Sequence, residues 1–491
     1  MDLNYYVCRF FVCLLVFCVT EVYAQFDYAY NPIVFTPPIP AAFLQSSYEK
    51  TKVNIKQELA AKDLNRRQNR QFYMPSNYEL TALFLSGDIY FNDTLTAYVR
   101  KVAKNLLRYN NLPLSYADKI YIGKYTVANA TTWRDGTILV NLGFLVKLES
   151  EGQLAFVLAH EIAHYHAQHH LQQFTRKYQT NKRWRNPLLQ KTKHTALFTA
   201  AYAQSHELAA DSLGALWLEK AGYEGHEVLG LLKLLPTIDD DANKLKLSAY
   251  ELLQYTLSDS LSLLCTINDL SQRDITSQRG LTKPNSAILQ NHPAIEDRIA
   301  SMTVLLLNKH QDIILNKLDT VKAKATFSYA TTVASFEMLK VWLANAQYGR
   351  CLYESALLLQ RYPNNVFIHE MLVQSAYWLV YYKQMNSLES VLEEIGAFEE
   401  QQYGLFLCEL GHLINDDFET LVLSFIAQYR LVSTGSKIIQ LYYARICELS
   451  GLNRKAQEQY LKYTRLFPNT RYTAFVEKRL WYIEKNLTDE K

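Results

Sequence analysis

The chain has 491 residues, enough for about three domains at roughly 150 residues each and too many for one small module. Hydrophobic residues make up 49% and charged residues 20%, which excludes a highly charged, disordered chain. A formal charge of +3, from 51 Lys and Arg against 48 Asp and Glu with no basic stripe, argues against a nucleic-acid partner.

In chain order, residues 10–18 (FFVCLLVFC) form an apolar run behind Arg9, and Val22-Tyr23-Ala24 supplies a small-residue ending. The pattern predicts a secretory signal peptide over 1–24, cleaved before Gln25. The run is too short to span a membrane, and no later stretch reaches about 18 uncharged apolar residues. The mature chain is therefore expected to be exported, soluble and free of transmembrane segments. Beyond the signal, Cys265, Cys351, Cys408 and Cys447 are widely spaced with no C-x-x-C pair. They read as buried thiols, with a Cys408 to Cys447 bridge as the alternative in an oxidising compartment.

Residues 25–77 carry the prolines Pro32, Pro37, Pro38 and Pro40, a basic glutamine-rich segment and the turn-like Met74-Pro75-Ser76-Asn77, and are expected to form an extended arm. From Phe91 to Tyr109 apolar residues recur at helical spacing, with Asn92-Asp93-Thr94 as the start signal. Ile120 to Val127 and Gly136 to Asn141 alternate like strands. Leu148 to Phe174 reads as one long helix, with Glu149 and Glu151 at its positive end. A second helix, beginning near Leu188 or Lys191, runs to Ala221 and stops at Gly222. More helices follow to about residue 310, so 78–315 is expected to be an α+β domain, mostly helical.

From about 325 to 491 the pattern is helical throughout. Tyr348 to Asn365 and Asn453 to Thr470 share a layout, and their prolines Pro363 and Pro468 lie 105 apart, about three periods of a 34-residue helical hairpin. With Ala456 and Tyr460 at the small and aromatic positions, the segment resembles tetratricopeptide repeats; a nonrepetitive helical bundle is the alternative. Stacked hairpins would present a concave face for a protein partner.

The chemistry centres on His160-Glu161-Ile162-Ala163-His164. On a helix, residues four apart share a face, so both imidazoles can meet one ion with Glu161 beside them. Zinc suits neutral imidazole ligands. A second helix offers Glu207-Leu208-Ala209-Ala210-Asp211, with two more carboxylates four apart and small residues between them. Glu207 is the expected third ligand, and Asp211 the acceptor that fixes the tautomer of a ligand histidine. Three protein ligands leave a fourth position for water, with Glu161 as general base toward a peptide bond. An ordinary solvated helix face is the alternative for Glu207 and Asp211. His166, His169 and His170 read as a solvated helix end, or as an adventitious second metal site, and His194 and His206 show no special pattern.

These residues resemble the zinc metallopeptidases that include the CAAX prenyl proteases and the HtpX-like enzymes. The resemblance covers roughly 80 to 305. It rests on Asn129-Ala130 followed by Gly136-Thr137-Ile138, on LAFVLAHEIAH, on ELAAD, and on His292-Pro293 leading to Arg298-Ile299. It implies a gluzincin-type domain with one zinc ion, and the signal peptide with the repeat-like tail resembles the soluble periplasmic BepA-like branch. That branch implies misfolded, stalled or outer-membrane proteins as polypeptide substrates, and a chaperone or assembly factor with a latent zinc site as the rival function. A monomer is expected.

The resemblance also implies that Arg298 lies near the metal, steadying the oxyanion or orienting Glu207, with a structural ion pair as the alternative. His292 would be a gating ligand, or else a structural histidine. The strand with Ile138 and Val140 would pair with an extended substrate, or else serve as a core strand. Trp133-Arg134-Asp135 departs from the family's usual proline before Gly136.

Overall fold

The computed structural model describes residues 26–34, 38–57, 64–183, 193–238, 295–307, 320–392, 418–428 and 435–489, with a few positions between 403 and 411. It is mostly helical with one small sheet. Two compact units divide it: one holds residues 33–239 and 285–338, the other residues 1–32, 240–284 and 339–491.

The first unit opens with α1 (Ala41–Leu44), α2 (Ser47–Gln57) and α3 (Arg66–Leu85). The extended arm expected over 25–77 is thus helical from Ser47 onward, apart from the segment that lies outside the described residues. Asn65 starts α3 with a capping box, accepting from Gln68 N while the Gln68 side chain accepts from Asn65 N. Pro75 sits inside α3 on an exposed face, where water can take the freed carbonyl, so the expected turn at 74–77 is helix. Phe72, Tyr73 and Leu80 on the other face are buried, which binds this helix to the domain.

Strand β1 (Ile89–Tyr90), helix α4 (Thr94–Tyr109), β2 (Ile120–Gly123), β3 (Ala130–Thr132) and β4 (Ile138–Asn141) follow. Asp93 caps α4 by accepting from Thr96 N. The sheet order is β1-β2-β4-β3, with β2 and β4 parallel and both outer pairs antiparallel. β4 is therefore interior: Ile138 and Val140 are buried side chains on a strand paired along both sides, and they cannot offer a substrate edge. The edge beside β4 is β3.

After α5 (Leu142–Lys147), Ser150 caps α6 (Glu151–His166) by accepting from Gln153 N. Gly152 through Ala159 are all buried, as expected of a helix apolar on every side, and only its C-terminal half turns polar. The single long helix expected to Phe174 is broken. Ala167 ends α6, Gln168 takes the left-handed conformation with φ 57°, and α7 (His169–Arg183) starts in a new direction. Helix α8 (Lys193–Lys220) packs along α6, α9 (His226–Leu234) packs on α6, and α10 (Ile295–Leu307) packs on α8 and α9. A methyl group on Gly214 would stand 3.2 Å from His160 N and 3.3 Å from the Phe156 ring, so Gly214, as well as the buried Ala210, sets how closely α8 approaches α6. Gly214→Leu is expected to cost about 1–3 kcal/mol by overpacking and to lower metal retention, measured by thermal melting and by metal content after gel filtration.

Helix α11 (Thr320–Ala344) supplies residues to both units. In the first, Glu337 is fully buried and accepts from Ile33 N at 2.8 Å and from Tyr90 Oη at 2.5 Å. The second unit continues with α12 (Tyr348–Arg361), α13 (Val366–Gln384), α14 (Phe418–Gln428), α15 (Lys437–Leu449), α16 (Asn453–Leu466) and α17 (Thr473–Asp489). Phe26 and Tyr30 pack edge-on against Tyr362 and Phe367, which fixes the described start of the chain to this unit.

Cap geometry recurs at the 105-residue spacing. Before α12, Ala346 is left-handed (φ 58°) and Gln347 N donates to Trp342 O; before α16, Gly451 is left-handed (φ 71°) and Leu452 N donates to Cys447 O. At the other ends, Tyr362 and Phe467 have φ −129° and −135°, and each donates back one helical turn before a proline. Tyr353, Tyr362, Tyr403, Tyr460 and Tyr463 are fully buried in this unit, and the Arg445 guanidinium lies 4.0 Å from the Tyr377 ring centroid. Cys351 and Cys447 are buried free thiols, whereas Cys265 and Cys408 lie outside the described residues.

His369 is buried on α13 and donates from Nε2 to Pro363 O at 2.7 Å. Burial pushes its imidazole down to about 4, despite that bond. Above about pH 6.5 the ring is neutral in folded and unfolded chains alike and costs nothing. As pH falls from there toward 4 the unfolded chain takes up a proton that the folded one refuses, so stability is lost, by up to about 3 kcal/mol. Urea unfolding of wild type and His369→Gln across pH 7 to 4 is expected to show a shallower acid loss in the variant.

Candidate metal centre

The polar end of α6 carries His160, Glu161 and His164, and α8 brings Glu207 opposite them. His160 Nε2 and His164 Nε2 are 3.0 Å apart, Glu207 Oε2 is 3.6 Å from the first, and Glu207 Oε1 is 3.4 Å from the second. Among the described residues these three form the group able to hold a metal ion. Tetrahedral ligands at about 2.0–2.1 Å from a zinc ion stand about 3.3 Å apart. These separations straddle that value, and two nitrogens with a carboxylate are a donor set zinc accepts, so the residues fit the ion.

Behind this group, Asp211 is fully buried, and its Oδ1 lies 2.9 Å from His160 Nδ1. A carboxylate can only accept, so the His160 proton sits on Nδ1 and leaves Nε2 free to ligate. Burial works against a charged His160, but the bonds to Asp211 and Glu207 outweigh it and push the ring up to about 10. Burial, then the neighbouring His160, push His164 down to about 2. The metal-free pair thus holds one proton that an ion has to displace.

Arg298 donates to both carboxylate oxygens of Asp211, from Nε and Nη2, at 2.7 Å each. Burial would raise the Asp211 carboxyl, yet His160 and Arg298 together hold it below its ordinary range. Among the alternatives for Arg298, the structure shows the buried ion pair, with the guanidinium forked onto Asp211. Through Asp211 it bears on His160, whose Nδ1 lies 2.9 Å from the same carboxylate. His292 lies outside the described residues.

Glu161 points to the edge strand. Thr132 Oγ1 donates to Glu161 Oε2 at 2.6 Å and also lies 3.1 Å from Glu161 O. Strand β3 turns alternate residues outward: Asn129 and Trp133 bond toward β4, so Ala130 and Thr132 carry the edge-facing backbone groups. The Thr132 carbonyl accepts from His170 Nε2 at 3.0 Å.

Sequence reasoning missed Thr132 and placed His169 and His170 on a solvated helix end. His169 is in fact buried, with Nδ1 3.0 Å from His164 Nδ1 and its ring stacked on the buried His206. Burial, then His206, hold His169 down to about 4. The β-branched pair Thr131-Thr132 was the available strand signal, whereas the break at Gln168 has none, since glutamine is a good helix former.

Residues 93–305 match the model of peptidase family M48. The matched stretch contains α6, α8 and α10, which carry His160, His164, Glu207, Asp211 and Arg298. M48 peptidases are zinc metallopeptidases, which supports a metallopeptidase function with polypeptide substrates. No curated protein matches the chain. Among the described residues, no helix is long and apolar enough to cross a membrane.

Proposed function

We propose that the chain is an exported zinc endopeptidase that hydrolyses peptide bonds of misfolded or stalled envelope proteins, with His160, His164 and Glu207 holding one zinc ion. The observation that carries this reading is Glu161, which follows the ligand candidate His160 on α6 and whose carboxylate accepts from Thr132 on the edge strand. A purely structural metal site needs no such base. Bound zinc supplies Lewis acidity toward the scissile carbonyl. The outward backbone of Ala130 and Thr132 can pair with an extended polypeptide, which brings its carbonyl to the site with little sequence preference. Glu161 takes the proton of the attacking water and returns it to the departing amine nitrogen. The recurring helical hairpins at 339–491 support a docking module of tetratricopeptide type for a protein partner.

One observation favours the second reading, a periplasmic chaperone or assembly factor with a latent site: His170 occupies the Thr132 carbonyl that an incoming strand would use. Zinc content and casein cleavage of wild type and Glu161→Gln test the pair. One zinc with cleavage that the variant loses supports the peptidase; one zinc without cleavage of casein or any unfolded client favours the chaperone.

A further inference from the structure

We infer that His169 is a positioning residue for the metal centre: its Nδ1 accepts the Nδ1 proton of His164 and so holds the His164 ring with Nε2 turned toward His160 and Glu207. The inference rests on the metal-binding reading of His160, His164 and Glu207, and concerns how the second imidazole is held there.

A histidine that ligates through Nε2 is neutral and carries its one proton on Nδ1. In a part-buried place that N–H requires an acceptor. The atom 3.0 Å from His164 Nδ1 is His169 Nδ1, which must then be the lone-pair nitrogen, with the proton of His169 on Nε2. Two imidazoles are thereby held from behind by different groups, a carboxylate for His160 and a neutral ring for His164. A neutral acceptor fixes the tautomer without adding negative charge to a site that already contains Glu161, Glu207 and Asp211.

Backbone and packing both serve this contact. His169 follows His164 by five residues, and in an unbroken helix the two would point about 140° apart at 3.6 residues per turn. The left-handed Gln168 (φ 57°) reverses that, in a conformation non-glycine residues adopt only at a cost. The His169 ring then stacks on His206 with centroids 4.4 Å apart and planes 2° from parallel. His206 is itself tied to Gln172 Oε1 at 3.1 Å and immediately precedes the ligand Glu207. One stack therefore joins the support of a ligand on α6 to the helix that carries the ligand on α8.

The full-length protein tests this with two variants. His169→Phe keeps a flat ring against His206 but has no acceptor; His169→Asn keeps an acceptor oxygen where Nδ1 stands but loses the stack. Zinc affinity is read by competition with a chromophoric chelator, ligand geometry by the absorption spectrum of the cobalt-substituted protein, and folding by thermal melting. We expect His169→Phe to lose about 10- to 100-fold in zinc affinity with an altered cobalt spectrum, and His169→Asn to stay near wild type in both. Unchanged affinity in His169→Phe, or equal losses in both variants, would overturn the inference, the latter leaving a packing role alone. Should His169→Phe not fold, His169→Asn decides: affinity near wild type supports the role, and a tenfold loss or more overturns it. A wild type that binds no zinc removes the metal reading and this inference together. A wild type that binds zinc but cuts no peptide removes only the peptidase reading.

Discussion

Glu161→Gln is expected to bind zinc as wild type does and to cut polypeptides about 10²- to 10⁴-fold more slowly, the usual contribution of a positioned general base. The carboxylate is not among the three ligand groups, so the amide leaves the metal group intact. Glutamine also keeps an oxygen for the Thr132 hydroxyl, whose 2.6 Å bond holds the side chain at the edge strand. What it lacks is a basic oxygen able to take a proton from water and deliver it to an amine. Single-turnover cleavage of an unfolded model substrate by zinc-loaded protein measures the loss. Cleavage within threefold of wild type would assign the base elsewhere, and loss of zinc together with activity would make Glu161 a support of the metal group.

Arg298→Met is expected to destabilise the first unit by about 3–5 kcal/mol, because it leaves Asp211 charged and fully buried without its forked partner. The same change frees Asp211 to move, so zinc affinity should also fall, by about 10- to 100-fold. Adding Asp211→Asn to Arg298→Met removes the stranded charge while keeping an acceptor for His160 Nδ1, and should recover much of the stability. Urea unfolding after chelator treatment separates folding from metal loss, and a single-variant cost below about 1 kcal/mol would show that water reaches Asp211 and screens it.

How far the site could be read in advance depended on the range of the interaction concerned. Residues four apart on a helix must share a face, so the His160 and His164 pair, and the Glu207 and Asp211 pair, were legible as two sets of side chains each able to point one way. Helices with local start and stop signals were legible for the same reason, as with Asp93 before α4 and Gly222 after α8. Pro75 misled because proline's penalty depends on whether its face meets water, which the local sequence does not contain.

The sequence by itself determined the chemistry on offer: two imidazoles and a base on one helix, two carboxylates on another, and a helical tail with a 105-residue echo. Only the tertiary structure decided which of these groups meet. It set β4 inside the sheet and β3 at its edge, since strand neighbours are chosen by pairing between distant segments. It placed Arg298 on Asp211, 87 residues away in the chain, because a buried carboxylate is stable only where a cation and donors reach it. It also bent the chain at Gln168, where the burial of His169 and its stacking on His206 outweigh a local preference for continued helix.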